Sequence, residues 1–204
     1  MRFKLVVFCC FFAVVFKVSA QESNLKKFRQ LSGPEKCWVI FHPFVAKKAL
    51  KISEKTREIT KEIKRKKVLT GNGNGGQVDA FRHAFWMAML TQEIGKRRAR
   101  SLGIKHEKGN YKDYKKRRLE DGVIPDKRSS EMDLFNNEIG IEIGANSDSL
   151  ALENQVIEAV LKGACKIIKK DASNNFLDCD GKPIPIESLK GKWENDKCLA
   201  WSNE

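Results

Sequence analysis

Three polar residues, Asp79, Arg82 and His83, interrupt the apolar stretch DAFRHAFWMAML that runs from Asp79 to Leu90. If the stretch is helical, spacings of three and four place all three on one face, continued by Trp86 and Leu90. Ala80, Phe81, Ala84, Phe85, Met87, Ala88 and Met89 cover the other faces, and a helix that is apolar all round is normally buried. A buried acid, arginine and histidine must then be paired, because an isolated buried charge is costly. Such a trio offers a histidine that serves as base or metal ligand, an acid that orients it, and a guanidinium that binds an anion. The competing reading is a satisfied polar triad that only orients core helices.

The partners are expected in MDLFNNEIG, where Asp133, Asn136 and Asn137 again share one face at spacings of three and four. Asp and Asn are poor mid-helix residues, and the solvated faces of this chain use Lys and Glu instead. A buried hydrogen-bonding face is therefore expected, with Gly140 and Gly144 on the same stripe permitting close helix approach. The trio of Asp79, Arg82 and His83 should meet Asp133, Asn136 and Asn137 across a helix pair. His106 and Glu107, an adjacent pair in a charged region, are the third candidate element. The remaining histidine, His42, precedes Pro43 at a helix end and reads as a cap or core residue. None of these spacings names a metal or a cofactor, and no C-x-x-C or H-E-x-x-H is present.

DAFRHAFW, a following HE and MDLFNNEIG together resemble the blocks of an uncharacterised bacterial family of exported or toxin-associated helical domains, classed as a domain of unknown function. The resemblance spans roughly residues 30 to 165. It implies a helical fold and marks Asp79, Arg82, His83, Trp86, His106, Glu107, Asp133, Asn136 and Asn137 as the matching positions. The chain departs from the pattern at Met87, where the family favours asparagine, and at Ile141, where it favours arginine.

The elements that must position these residues are mostly helical. Ser32 is a good N-cap, with Pro34 in the first turn and Glu35 three residues after the cap. Past Pro43, Val45, Ala49, Ile52, Ile59 and Ile63 keep helical spacing through a lysine-rich segment. TGNGNGGQ, residues 70–77, is a loop; no G-K-[ST] follows it, so a phosphate-binding loop is disfavoured. The helix of Asp79 is expected to continue through TQEIGKRRARSLG, and after IKHEKGNY comes a charged, exposed segment ending at DGVIPDK. Further helices are expected from about Ser129 and from Ser147 or Asp148, the latter running through CKIIKK. The predicted fold is mainly α: a single-domain helical bundle, residues 21–170, with a small irregular or hairpin cap over 171–204.

Residues 1–20 read as a signal peptide: the basic lead MRFK, a twelve-residue apolar run too short to span a bilayer comfortably, and KVSA. The mature chain is therefore expected to be exported, periplasmic or extracellular, with no transmembrane span. Its formal charge falls from +13 to +10 as Arg2, Lys4 and Lys17 leave. Basic residues concentrate in 47–67 and 96–118, which suits anionic partners: nucleic acid, acidic lipid or wall polymer. Neither block interleaves the aromatics that base stacking requires. Cys37, Cys165, Cys179 and Cys198 remain, an even number that favours disulfides in an exported chain. Three connectivities are open; Cys179 and Cys198 bracket one segment, which favours that pair, with Cys37–Cys165 as the other. Two functions fit these features. One is a hydrolase acting on an anionic, phosphodiester-like substrate, and the other is a non-catalytic cell-envelope or anion-binding module whose polar cluster is structural.

Overall fold

The computed structural model describes residues 24–71, 73–119, 122–148 and 150–204; the expected signal peptide lies outside them. The fold is mainly helical, with one small sheet near the C-terminus. After helical turns over residues 24–30 come α1 (Gly33–Phe41), α2 (Pro43–Arg65), α3 (Gln77–Ile94), α4 (Lys96–Lys115), α5 (Lys127–Asn146) and α6 (Leu152–Leu161). Strand β1 (Lys166–Ile168), the short α7 (Ile186–Leu189) and β2 (Leu199–Trp201) complete the chain. No helix among the described residues is long and apolar enough to cross a membrane.

The all-round apolar helix, α3, is the axis of the molecule. One side packs Phe81, Phe85 and Ala88 against Ile63, Leu152, Val156 and Val160. Its other side packs Met87, Leu90 and Ile94 against Trp38, Ile52 and Leu102. Burying each of the larger side chains stabilises the fold by about 1.5–3 kcal/mol. Against α3 lies α5, and their approach is set by glycine. A Cβ at Gly140 would sit 2.0 Å from the Ala84 carbonyl oxygen, and one at Gly144 would sit 2.4 Å from that of Ala88. The two backbones touch where any side chain would hold them apart.

Local signals set several boundaries. Ser32 and Glu35 form the expected capping box, and Asp126 caps α5 by accepting from the Ser129 N–H at 3.0 Å. Two boundaries differ from expectation. The helix of His83 does not run on through residues 96–103: Gly95 takes φ +85° and ends it, and a second helix starts at once. That helix, α4, includes His106 and the start of the charged segment, which is largely exposed as expected. The last long helix also stops early, at Leu161, and Lys166–Ile168 pairs instead with Leu199–Trp201 as an antiparallel ladder.

The tail forms the expected disulfide-pinned cap: Cys179 and Cys198 are bonded. The expected Cys37–Cys165 pair does not form. Cys37 is an exposed thiol on α1 and Cys165 a buried one beside β1, packed in the cluster around Phe81. Burial pushes the Cys165 thiol up to about 12, so it behaves as a small apolar residue rather than a nucleophile.

Candidate functional site

Helix α3 presents Asp79 and His83 one turn apart, and α5 brings Asp133 to them. His83 Nε2 lies 3.3 Å from Asp133 Oδ1 and 3.7 Å from Asp79 Oδ1. One nitrogen of Arg82 donates to Asp79 Oδ1 at 2.6 Å and lies 3.0 Å from His83 Nε2. A guanidinium can only donate, so Nε2 is the acceptor nitrogen of a neutral ring and Nδ1 carries the proton. Burial holds the His83 pKa well below the usual 6.5, and the charges of Arg82 and His106 push the same way, while Asn137 pulls against them. The neutral ring thus aims an electron pair into the same small space as two carboxylate oxygens. One ligand atom from each of Asp79, His83 and Asp133 lies within 4.8 Å of the other two.

The groups behind the cluster hold it in place. The other carboxylate oxygen of Asp79 accepts from the Gly75 N–H at 2.7 Å. Gly75 takes φ +80° at the end of the glycine-rich loop, and its carbonyl accepts from the Ile168 N–H of β1 at 2.7 Å. The tail therefore braces the turn that braces Asp79. A Cβ at Gly75 would press on the Ile168 side chain at 3.0 Å, so both the turn and its packing call for glycine. Asn137 adjoins the imidazole, and Gly103 of α4 makes room for it, since a Cβ there would come within 3.1 Å of its amide nitrogen.

Two members of the cluster, His83 and Arg82, open on a cleft of about 770 Å³ lined by α1 to α4 and the turns over 24–31. His83, Arg82 and His106 line it, together with apolar side chains that include Leu31, Val39, Leu50 and Trp86. His106 meets Trp86 edge-on at 5.4 Å and His83 at 6.3 Å between ring centres. Its Nδ1 lies 3.0 Å from Glu35 Oε1. Burial alone would raise the Glu35 carboxyl; the bond to His106, its charge and Ser32 outweigh that and hold it below 4.5. Trp86 is anchored by donating from Nε1 to Ser53 Oγ at 2.9 Å.

The expected meeting of α3 and α5 thus takes place through Asp133 and Asn137. Asn136 turns away: its amide donates to the Lys166 carbonyl at 2.9 Å and its oxygen accepts from the Lys166 N–H at 2.8 Å. Fully buried, it clamps β1 to α5 instead of entering the site. Replacing Asn136 with alanine leaves two part-buried backbone groups of Lys166 without these partners, and about 1–2 kcal/mol of stability should be lost. A urea denaturation midpoint that does not move would show that the clamp carries no energy. Glu107 is also turned inward, where it accepts from Asn110 at 3.0 Å, leaving His106 as the member of that pair on the cleft wall. His42 stacks on Trp38 at 4.5 Å and bonds to its carbonyl, a helix-corner role. Met87 and Ile141, the two departures from the resembled pattern, are both fully buried in the same apolar cluster.

Two positions escaped the sequence reading. Glu35 was visible as a capping residue, but nothing local linked it to His106, 71 positions away. That contact depends on Gly109, where a Cβ would lie 2.4 Å from Ser32 Oγ. Gly75 was visible only as part of a loop, with no sign that its N–H serves Asp79.

A family model matches residues 36–169, from just after Glu35 to just past β1. No curated protein and no solved structure matches the chain. Matched over most of its length, a stretch that holds Asp79, Arg82, His83 and Asp133, the chain belongs to the family described as Domain of unknown function (DUF6973).

Proposed function

We propose that the protein is an exported hydrolase that cleaves an anionic, phosphodiester-like substrate in the His83 cleft. The observation that carries this reading is a neutral, buried imidazole that lines the cleft beside a guanidinium and stands against two buried carboxylates behind it. In the reaction, the oxygen of water bonds to phosphorus as the ester P–O bond breaks, and the departing oxygen takes up a proton that water gives. The cluster supplies electron pairs to activate that water, and Arg82 offers charge to the phosphate oxygens. A disulfide and the lack of a membrane-crossing helix among the described residues are compatible with export.

Of the anionic partners that the charge suggests, an acidic lipid fits the cleft best. Its apolar walls suit an acyl chain, and Ile40, Phe41 and Phe44 stand exposed at the α1–α2 corner close to cleft residues Val39, Pro43 and Lys47. Exposed Lys47, Lys48 and Lys51 follow on α2, so an anionic bilayer would meet apolar and basic groups together. The test is turnover of phosphatidylglycerol vesicles, single-stranded DNA and a chromogenic phosphodiester by the purified chain. Hydrolysis of the vesicle lipid, and less of the others, is the expected result. Binding to vesicles that weakens steeply with salt, with no turnover of any substrate, would replace the enzyme with the anion-binding module.

A further inference from the structure

We infer that Asp79, His83 and Asp133 form a site for one divalent cation of the Zn²⁺ class, and that the Arg82 guanidinium occupies the cation's place until it binds. The inference deepens the hydrolase reading, on which its catalytic meaning rests.

Three independent features point to a cation. First, the donor atoms converge. Ligands about 2.0–2.2 Å from a tetrahedral Zn²⁺ lie roughly 3.3 Å from one another by simple geometry, and His83 Nε2 already stands 3.3 and 3.7 Å from the two carboxylate oxygens. Second, the donor set is one imidazole and two carboxylates, three protein ligands with a remaining position for water, as catalytic zinc sites are built. The imidazole argues against Ca²⁺ and Mg²⁺, which take oxygen. Third, the ligands are supported from behind in the way metal ligands are. Gly75 holds the far oxygen of Asp79. His83 Nδ1 and both polar atoms of Asn137, which adjoins the ring, are buried with no hydrogen bond of ordinary geometry among the described residues. A small approach of the Asn137 carbonyl oxygen to Nδ1 gives each a partner and locks Nε2 as the ligand.

Arg82 explains how such a cluster persists without metal. Its one nitrogen sits against both Asp79 Oδ1 and Nε2, a positive charge where the cation would go. Its side chain is 25 % exposed and lines the cleft, so it can swing outward when a cation arrives. There it would face the phosphate of a bound substrate.

The experiment is equilibrium dialysis of the purified full chain against Zn²⁺, followed by metal analysis, in a Cys37→Ser background so that the exposed thiol does not contribute. One Zn²⁺ per chain is expected. His83→Ala and Asp133→Asn should each weaken binding by at least about 100-fold, and Asn137→Ala by roughly 10-fold, within the range seen for groups that orient ligands. Arg82→Ala should keep the stoichiometry and tighten binding, because it removes a competing cation. Absence of stoichiometric Zn²⁺, or binding untouched by His83→Ala and Asp133→Asn, overturns the site. Should those two variants fail to fold, Arg82→Ala decides: loss of binding there overturns it as well. Hydrolysis that requires His83 but survives a chelator would remove the metal and keep the hydrolase. Bound Zn²⁺ with no turnover of any substrate would do the reverse.

Discussion

Replacing Gly140 with alanine is expected to destabilise the protein by about 2 kcal/mol or more, although alanine is the better helix former. Propensity alone favours the change by about 1 kcal/mol in a helix interior. The new methyl, however, would stand 2.0 Å from the Ala84 carbonyl oxygen, and backbone cannot rotate aside as a side chain can. Helices α3 and α5 must separate, and overpacking of a tight core typically costs about 1–3 kcal/mol and sometimes more. The separation has a second consequence, because Ala84 follows His83 directly. Widening the crossing pulls His83 from Asp133, so turnover and Zn²⁺ affinity should fall with stability. Gly73→Ala is the control: a Cβ there meets nothing within 4 Å, and its effect should stay within about 0.5 kcal/mol. Urea denaturation of both variants checks the pair. A Gly140→Ala protein as stable as the parent would mean that the two helices do not touch at this point.

His83→Ala should abolish hydrolysis while leaving the chain folded. As a general base such a histidine is worth roughly 10²–10⁴ in rate, and as a metal ligand its removal takes the metal's contribution too. The fold should survive because the neutral ring carries no charge to strand. Asp79 keeps its bonds from Arg82 and Gly75, and the truncation opens space on the side of the cleft. Turnover per folded molecule, with circular dichroism and a denaturation curve beside it, separates the outcomes. A variant that no longer folds would make the trio a structural seam between α3 and α5, the second of the two functions that the sequence allowed.

Much of the candidate site's geometry is legible in the sequence. Asp79, Arg82 and His83 stood out because a polar group on an all-round apolar helix needs a partner, and Asp133 and Asn137 supplied it. Spacing alone groups Asn136 with them, and the structure separates it for a geometric reason. Asn136 and Asn137 are about 100° apart around the helix axis, one on each side of Asp133. That arc is wide enough to serve two neighbours, so Asn137 meets α3 and α4 while Asn136 meets β1. Gly95 escaped notice because apolar periodicity runs on across it, and a positive φ leaves no mark on hydrophobic pattern. The segment KII is too short to carry a period of its own, so its strand character came from Leu199–Trp201, more than thirty positions on.

What the sequence determined by itself is what neighbouring residues decide among themselves. The capping box at Ser32, the cap at Asp126, the amphipathic α2 and the demand for partners along α3 all follow from side chains within one or two turns. Only the tertiary structure decided which polar groups meet. It turned Asn136 to the strand, set Glu35 against His106, left Cys37 and Cys165 apart, and threaded the tail from Lys166 through Ile168 and Gly75 to Asp79. Apart from the short Gly75–Asp79 bond, the contacts formed join groups 30 to 93 positions apart, too far along the chain for neighbouring residues to specify.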